Sequence, residues 1–301
     1  MKKILLFSSI LIFAGALLRY PRAVSAAVQA GLALCASTII PALFPFFVVT
    51  ALLVQLGLIH PLERLFAPFM GPLFHLPGTC AAPLLAGLVG GYPTGAKTVA
   101  DLYAQRLISR REAEHVLGFV NNCGPAFLLS YVGAGILGDS RAGVDLLLIH
   151  VLSALLTGLI LCRIGTPGAE NPPPHRRPPV AEKSLGEALP AAVTGALTST
   201  LSICAFVVLF RVIAELLPGA LPASVLGTFE MVTGLASLSP GRPGFVTAAG
   251  IVGWGGLSVH CQTMAALSGT GLSLRRHWLG KALQALLSVL LAGAVSLWLY
   301  P

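Results

Sequence analysis

Residues 87–103 read GLVGGYPTGAKTVADLY and continue an apolar run that begins near Pro83. The segment Gly90-Gly91-Tyr92-Pro93-Thr94-Gly95 interrupts any helix, because proline lacks an N–H group and glycine destabilises helical backbone. A charged residue, Lys97, follows one helical turn after Pro93. A broken backbone and a charge inside an apolar stretch are typical of a functional element in a membrane protein rather than of a simple span.

The composition predicts an all-α polytopic membrane protein. Of the 301 residues, 55% are hydrophobic and 10% are charged, whereas a soluble domain carries about 25% charged residues. So few charges cannot cover a surface that faces water, so the lipid bilayer is the expected partner of most of the surface. The net charge of +8 is spread over short links between apolar runs. That pattern excludes nucleic-acid binding and is typical of cytoplasmic loops.

The remaining chemistry-bearing residues give no pattern of a metal centre or a catalytic site. The six cysteines include no pair at CxxC spacing, and buried thiols are the expected reading. Ser258 and His260 are only two positions apart, which does not make a catalytic dyad. We therefore expect no resident metal, no cofactor and no enzymatic activity, with Na⁺ or H⁺ coupling left open.

About eight spanning or re-entrant helical segments follow from the apolar runs. The runs are Ile4–Leu18, Val24–Leu58, Cys80–Val99, Val116–Leu137, Val144–Cys162, Ala188–Leu217, Leu226–Leu238, Phe245–Leu267 and Trp278–Tyr300. The second is too long for one straight span and contains two prolines, so a kinked helix and two shorter pieces are both open. The seventh is too short to span.

The first run, within residues 1–23, is expected to be a membrane helix of the mature chain. The alternative is a signal peptide cleaved near Val24-Ser25-Ala26, but Arg19 and Arg22 fit such a cleavage region badly.

A proline-rich connector divides the chain into two similar parts. Residues 165–185 contain the sequence NPPPHRRPP, which predicts a solvated cytoplasmic linker. The parts on either side, 24–164 and 186–301, register when one is shifted by 163 residues, since Ala86-Gly87-Leu88-Val89-Gly90 falls on Ala249-Gly250-Ile251-Val252-Gly253. The shift predicts two structural repeats, and such repeats with broken segments point to a transporter's binding site.

If the two repeats have opposite orientations in the membrane, each repeat must cross the membrane an odd number of times. This condition is met if Cys80–Val99 and Phe245–Leu267 are both Gly/Pro-broken re-entrant hairpins. One observation conflicts with it, because Arg275, Arg276 and Lys281 would then lie outside the cell, against the distribution of positive charge.

Three broken segments supply the candidate substrate-binding residues. The first break holds Gly91, Tyr92, Pro93, Thr94 and Gly95, and the second holds Asn121 and Asn122. The third break holds Trp254 and Ser258, and His260 and Gln262 follow it directly. Kinks and close helix packing are the structural alternative. Three breaks, two of them related by the 163-residue shift, favour a ligand site.

Two candidate cations and one acid stand near these breaks. Lys97 falls on His260 under the shift. Lys97 could instead reach the membrane surface or pair with Asp101 four residues on, and His260 could be a neutral, hydrogen-bonded core residue. Glu230 stands alone in a short apolar segment and is the candidate for proton coupling, although Arg211 or Arg242 could pair with it.

At this point the residues carry a family resemblance. The stretches GGYPTGAKTVADLY, FVNNCGPAFLL, GGLSVHCQ and LCASTIIPALFPFFVVTALL resemble the YlbJ-type sporulation integral membrane proteins, of the Gate-domain, nucleoside-recognition group. The resemblance spans about residues 28–300. It implies a polytopic fold similar to concentrative nucleoside transporters, with re-entrant hairpins and broken helices. For the sporulation members it implies movement of dipicolinate across the outer forespore membrane.

Combined with the residues, the resemblance predicts a transporter of a small organic anion in a multi-pass cell membrane. Lys97 and His260 would flank the two carboxylates of dipicolinate, and Tyr92 and Trp254 would cover its ring. A nucleoside or nucleobase permease and a non-transporting scaffold for spore maturation remain alternatives, and a homo-oligomer is open.

Overall fold

The computed structural model describes residues 2–58, 60–164, 184–217 and 221–299. Every regular element in these ranges is helical. The α-helices are α1 (Lys2–Arg19), α2 (Pro21–Leu34), α3 (Ile40–Gln55), α4 (His60–Phe74), α5 (Ala81–Gly90), α6 (Thr94–Ala104), α7 (Arg110–Val116), α8 (Ser140–Arg163), α9 (Leu185–Glu215), α10 (Ala223–Phe229), α11 (Met231–Ala236), α12 (Arg242–Trp254), α13 (Gly256–Ala266) and α14 (Arg275–Leu299). A π-helical turn, Cys35–Ile39, joins α2 to α3, a 3₁₀ turn, Gly78–Cys80, leads into α5, and a π-helical segment, Phe127–Ile136, precedes α8.

The helices confirm a polytopic membrane protein. Within the described ranges, five are long and apolar enough to cross a bilayer: Pro21–Ile39, Ser140–Arg163, Leu185–Glu215, Arg242–Ala266 and Arg275–Trp298. The pair Glu63–Phe74 and Gly78–Gly90, bent by 111°, would make a sixth. The long second apolar run is divided by the π-helical turn, and Glu230 divides the short seventh run into α10 and α11.

Helix α14 has its polar residues inside and its apolar residues outside. Its buried face carries His277, Lys281, Gln284, Ser288 and Ser296, each at most 1% exposed. Its outer face carries Leu279, Leu286, Leu290, Leu297 and Trp298. The buried positions recur every three or four residues, as one face of a helix requires. A polar stripe turned inward and apolar residues turned outward are what a helix surrounded by lipid needs.

The two halves treat their broken segments differently. Helices α5 and α6 fold back on each other, because a Cβ added to Gly87 would lie 3.4 Å from the Cα of Gly95, eight residues on. Helices α12 and α13 instead form one broken span, Arg242–Ala266. Gly253 packs on Ala285, and His260 lies beside His277, so this span runs antiparallel to α14. The predicted hairpin at Phe245–Leu267 is therefore wrong.

The reason for that difference lies in the backbone at each break. Gly91 has φ +73° and is followed by Tyr92-Pro93 before α6 begins, which gives the chain room to reverse. At the third break Gly255 (φ +88°) ends α12, and α13 starts at the next residue, Gly256 (φ +78°). A glycine in the left-handed region ends a helix, and after these two glycines the chain resumes in nearly the same direction. Whether the α5–α6 hairpin is re-entrant stays a prediction.

Arginines gather at one end of the bundle. The Arg276 guanidinium donates to the Leu161 carbonyl, next to the end of α8, and Arg110 donates to the Gly271 carbonyl. The start of α14, the start of α7 and the end of α8 therefore share one end, which we call the arginine-rich end. The charge rule predicts that this end faces the cytoplasm.

This arrangement removes the predicted conflict over charge. Arg275 and Arg276 do not lie opposite the Arg106–Arg111 link, and Lys281 is buried in the bundle. Helix α9 runs antiparallel to α2 and α3, since Gly31 packs on Val208 and Cys35 bonds to the Cys204 carbonyl. Yet α7 and α14 begin at the same end. A single inverted repeat does not describe the whole chain, because only the first half turns back at its break.

The 163-residue shift is nevertheless visible in the helix boundaries. The starts of α2, α4 and α6, shifted by 163, fall on residues 184, 223 and 257, where α9, α10 and α13 begin within one residue. The division into repeats stays a prediction. Of the proline-rich linker predicted at 165–185, residues 165–183 lie outside the described residues.

Close backbone contact in the bundle predicts a sharp effect of one methyl group. A Cβ added at Gly280 would overlap the carbonyl oxygen of Gly118, whereas one added at Gly293 on the same helix meets nothing within 4 Å. We expect Gly280→Ala to lower the free energy of unfolding by about 3 kcal/mol, the upper part of the usual range for overpacking. SDS titration of the purified protein in detergent measures this.

Gly293→Ala is the matched control, and we expect it to leave the unfolding midpoint unchanged or slightly raised. Equal midpoints for the two variants would contradict the contact between α14 and the segment at Gly118.

Candidate functional site

A cavity of about 40 Å³ lies where the three broken segments meet. This volume holds a few water molecules and is below the usual range for small-molecule sites, so a larger solute requires the walls to move apart. The hairpin tip contributes Gly91 and Tyr92, the second break contributes Cys123 and Gly124, and α13 contributes Ser258. Apolar side chains from α3, α9 and α11 close the rest, namely Leu43, Phe46, Phe47, Ile203, Val207 and Val232. We call this space the central cavity.

Three polar side chains line the central cavity. Glu230 is 2% exposed and accepts hydrogen bonds from Val232 N (3.0 Å) and Thr233 N (2.6 Å). Its carboxylate therefore caps the start of α11. Ser258 Oγ lies 3.5 Å from Glu230 Oε1. Gln262 is 4% exposed, and its Oε1 atom has no hydrogen-bond partner among the described residues.

Two helix N-termini also border the central cavity. Ala126 and Phe127 stand in the first turn of the helical segment after Pro125, and Ser258 stands in the first turn of α13. Neither start has a side-chain cap. The first N–H groups of a helix have no partner within it, and the helix dipole adds partial positive charge there. These two helix starts therefore favour a bound anionic or hydrogen-bond-accepting group, on the parts of the wall away from Glu230.

A buried polar cluster lies behind Tyr92. Lys281 Nζ donates to Gln284 Oε1 (2.8 Å), to Tyr92 Oη (3.3 Å) and to the Asn121 carbonyl (3.4 Å). Tyr92 Oη in turn donates to the Val252 carbonyl (3.0 Å) near the end of α12. One lysine thus connects the hairpin tip, the second break and α14, and through Tyr92 it reaches the third break.

The unwound segment Asn121–Gly124 is held by side chains of the same cluster. Asn122 Oδ1 accepts from Gln284 Nε2 (3.0 Å), and Asn121 Nδ2 donates to Thr263 Oγ1 (2.7 Å). Cys123 N donates to His150 Nε2 (2.9 Å), which fixes the acceptor nitrogen of that ring. The predicted residues Asn121 and Asn122 therefore hold the backbone in place, and the cavity wall is formed by the next two residues.

Lys97 lies outside the central cavity. Its exposed side chain lines a separate cleft of about 290 Å³, together with Thr94, Thr98 and Asp101 and residues of α3 and α9. Phe47 lines both the cleft and the central cavity, so the two spaces are neighbours. The structure does not place Lys97 and His260 around one cavity.

His260 and Trp254 are held in an aromatic cluster on another side of the bundle. His260 Nδ1 and His277 Nε2 are 2.9 Å apart, and the His260 ring packs on Trp254 and Trp278. Trp254 lines an outer cleft and donates to the Thr228 carbonyl. Tyr92 lines the central cavity and Trp254 does not, so the expected pair of rings around one ligand is not formed.

The other two predicted tip residues have structural positions. Pro93 precedes α6 at the turn of the hairpin and lines neither space. A Cβ on Gly95 would overlap the Val120 carbonyl, so this glycine allows α6 to approach the segment before the second break. Arg211 and Arg242 form no ion pair with Glu230, because the salt bridge within the described ranges joins Arg110 to Glu114.

Sequence reasoning missed Lys281, Gln284 and His150. A signal for the first two was present, since His277, Lys281, Gln284 and Ser288 recur at spacings of four, three and four in an apolar run. Polar residues at that period predict one buried helix face. His150 is isolated in its apolar run, and nothing in the sequence connects it to Cys123.

A family model described as "Nucleoside recognition" (Gate) matches residues 36–216, which is more than half of the chain. The chain belongs to the Gate family. The matched range contains the hairpin, the second break and the α9 wall of the central cavity, whereas Glu230, Ser258 and Lys281 follow it. The structural site of this Gate protein therefore extends beyond the matched range.

A curated relative covers almost the whole Gate protein. The sporulation integral membrane protein YlbJ of Bacillus subtilis (strain 168) is 28% identical over 324 aligned positions, which include 93% of this chain and 79% of the relative. No solved structure shows significant similarity to the chain. The family and the helices together identify an integral, multi-pass membrane protein.

The cluster around Gln284 predicts a large loss of stability in one variant. Gln284→Leu removes an acceptor from the buried Lys281 ammonium and the donor to Asn122. We expect the free energy of unfolding to fall by about 2–3 kcal/mol, because buried groups lose charge-assisted and neutral partners. Gln29→Leu on the exposed face of α2 is the control, and SDS titration measures both. An unchanged midpoint for Gln284→Leu would show that the cluster does not hold the second break.

Proposed function

We propose that this Gate protein is a transporter of a small organic anion, with dipicolinate as substrate, and that the central cavity is its binding site. The observation that carries the proposal is the meeting of three broken backbone segments around one small internal cavity, which widens into a solute site if the segments move apart. Irregular backbone at membrane depth occurs where it is buried in protein or lines a path for a solute. A scaffold without transport activity would not need such a cavity.

The residues that line the cavity have the chemistry to bind a flat aromatic acid. Phe46, Phe47, Phe127 and Tyr92 supply apolar and aromatic surface. The uncapped helix starts at Ala126 and Ser258 supply N–H groups for a carboxylate, and the amide of Gln262 adds a further polar contact. The buried Lys281 ammonium behind Tyr92 raises the electrostatic potential on that side, so a negative ligand is favoured there.

The cleft around Lys97 fits the role of a vestibule. It adjoins the central cavity at Phe47 and is lined by Asp101 on α6, the helix that leads toward the arginine-rich end. An exposed lysine in an aqueous cleft raises the local concentration of anions and speeds their association. In this role Lys97 attracts the substrate from the cytoplasmic side and does not hold it in the bound state.

Glu230 is the candidate for coupling to protons. It is buried, lines the cavity and has no cation within ion-pair distance in the described part of the chain. A carboxylate in such a place can carry a proton with the substrate, since repulsion between two negative groups is relieved when one is protonated. Its two backbone hydrogen bonds fix its position beside Ser258.

A nucleoside is the second candidate substrate. The family description is nucleoside recognition, and Glu230, Ser258 and Gln262 place a carboxylate, a hydroxyl and an amide in the cavity. These groups suit ribose hydroxyls. The positive helix starts and Lys281 favour the anion over this neutral solute.

We propose that the biological setting is a sporulating cell, with the chain in the outer forespore membrane. The name of the relative, a sporulation integral membrane protein, supports this proposal. With the arginine-rich end facing the cytoplasm, the Lys97 vestibule lies on the cytoplasmic side of the membrane. This is the side from which dipicolinate would leave the cytoplasm.

Uptake into proteoliposomes tests the proposal. The purified protein is reconstituted, and uptake of labelled dipicolinate and of labelled uridine is followed in parallel. We expect saturable dipicolinate uptake and none of uridine. Gln262→Leu should reduce it at least about tenfold, since losing one polar contact to a charged ligand costs about 1.5–3 kcal/mol. Gln29→Leu should transport as the parent does.

Two further variants separate the roles around the cavity. Lys97→Ala should raise KM for dipicolinate with little change in the maximal rate, because it acts on association. Glu230→Gln should transport without the stimulation that an imposed proton gradient gives the parent. Uridine uptake in place of dipicolinate would move the assignment to the nucleoside, and uptake of neither by folded protein would contradict a transport function.

A further inference from the structure

The ammonium group of Lys281 is buried without a negative partner. The side chain is 1% exposed in the middle of α14, and no carboxylate lies within ion-pair distance of it in the part of the chain that the structure describes. Burying an unpaired charge is costly unless several polar groups replace its hydration. The contacts of this group must therefore do what water or a carboxylate does elsewhere.

Those contacts are all neutral oxygen atoms. Nζ lies 2.8 Å from Gln284 Oε1, 3.3 Å from Tyr92 Oη and 3.4 Å from the Asn121 carbonyl oxygen. The Tyr92 ring adds a cation–π contact at 5.2 Å. A hydroxyl, an amide oxygen and a main-chain carbonyl from an unwound segment are the kinds of ligand that bind a hydrated or bare monovalent cation in proteins.

The positions of these oxygen atoms in the fold are equally informative. Tyr92 stands at the hairpin tip, Asn121 begins the unwound second break, and Gln284 is one turn further along α14. In secondary transporters, coupling Na⁺ ions are coordinated by unwound carbonyls of this kind near the middle of the membrane.

We propose that the Lys281 ammonium is a tethered monovalent cation, which fills a cation site between the hairpin tip, the second break and α14. Because the ammonium group is attached to the chain through the lysine side chain, the hairpin tip folds in the same way with or without Na⁺. If the proposed transport function holds, Na⁺ then has no role in coupling at this site, and the proton remains as the coupling ion.

Chemical rescue distinguishes a lysine that replaces a bound cation from a lysine that has only a structural role. Lys281→Ala removes the ammonium and its stem, and leaves three oxygen atoms facing an empty space that a small cation can enter. Lys281→Met fills the space of the stem with an apolar chain and leaves no room for an ion. The two variants lose the same charge but differ in whether a cation can replace it.

The test is the thermal unfolding midpoint of the purified protein in detergent, without substrate. Choline chloride is compared with sodium, ammonium and methylammonium chloride at equal ionic strength. We expect the same midpoint for the parent in all four salts. Lys281→Ala should unfold about 5–10 °C lower in choline and regain at least half of the loss in one of the small cations. Lys281→Met should gain nothing, and Lys3→Met, at the exposed start of α1, should match the parent.

Two results would overturn the proposal. One is a Lys281→Ala protein whose midpoint is unchanged by every small cation. The other is a parent protein that is markedly more stable in sodium than in choline, which can be measured even if Lys281→Ala does not fold. Neither readout uses transport, so failure of the proposed substrate would leave this test intact.

Discussion

The architecture depends on satisfying broken backbone inside an apolar bundle. Three segments leave the helical hydrogen-bond pattern, at Gly91–Pro93, Asn121–Gly124 and Gly255. Lipid offers no partner for free N–H and C=O groups. The buried face of α14 supplies side chains in place of water: Lys281 reaches the first two segments, Gln284 holds the second, and Tyr92 carries the connection to the third.

This constraint also places the central cavity. Helix α14 holds the hairpin tip and the second break from one side, while α3 and α9 approach them from the other. The polar side chains that fasten the backbone are therefore separated from those that face the cavity. Asn121 and Asn122 belong to the first group, and Glu230, Ser258 and Gln262 belong to the second. A solute can then contact the broken segments without competing for the hydrogen bonds that hold them.

Much of the fold could be predicted from composition and pattern. Too few charges to cover a soluble protein indicated the membrane, and the runs of Gly and Pro located the three breaks that meet at the cavity. The hairpin at Gly91 and the broken span at Gly255 could not be distinguished, because both read as glycine-rich interruptions in an apolar run. Their difference lies in backbone direction, which depends on packing against α14.

The cation that contacts the broken segments in the structure is not the one that the sequence motif singled out. Lys97 stands beside the most visible motif, whereas Lys281 lies in an apolar run close to two arginines and reads as part of a basic link. The period of polar residues along α14 marks the buried face but does not identify its partners. Those partners, Tyr92 and Asn121, lie 189 and 160 residues away in the sequence, a separation that no local pattern bridges.

The most direct measurement of the central claim uses a natural cysteine. Cys123 lines the central cavity, while Cys261 is half-exposed and does not line it. The rate of alkylation by N-ethylmaleimide is followed at each cysteine by peptide mass spectrometry, with and without dipicolinate at concentrations that saturate uptake. The account predicts that dipicolinate slows the alkylation of Cys123 severalfold and leaves Cys261 unchanged. Equal alkylation of Cys123 in both conditions, with uptake occurring, would contradict a substrate site in this cavity.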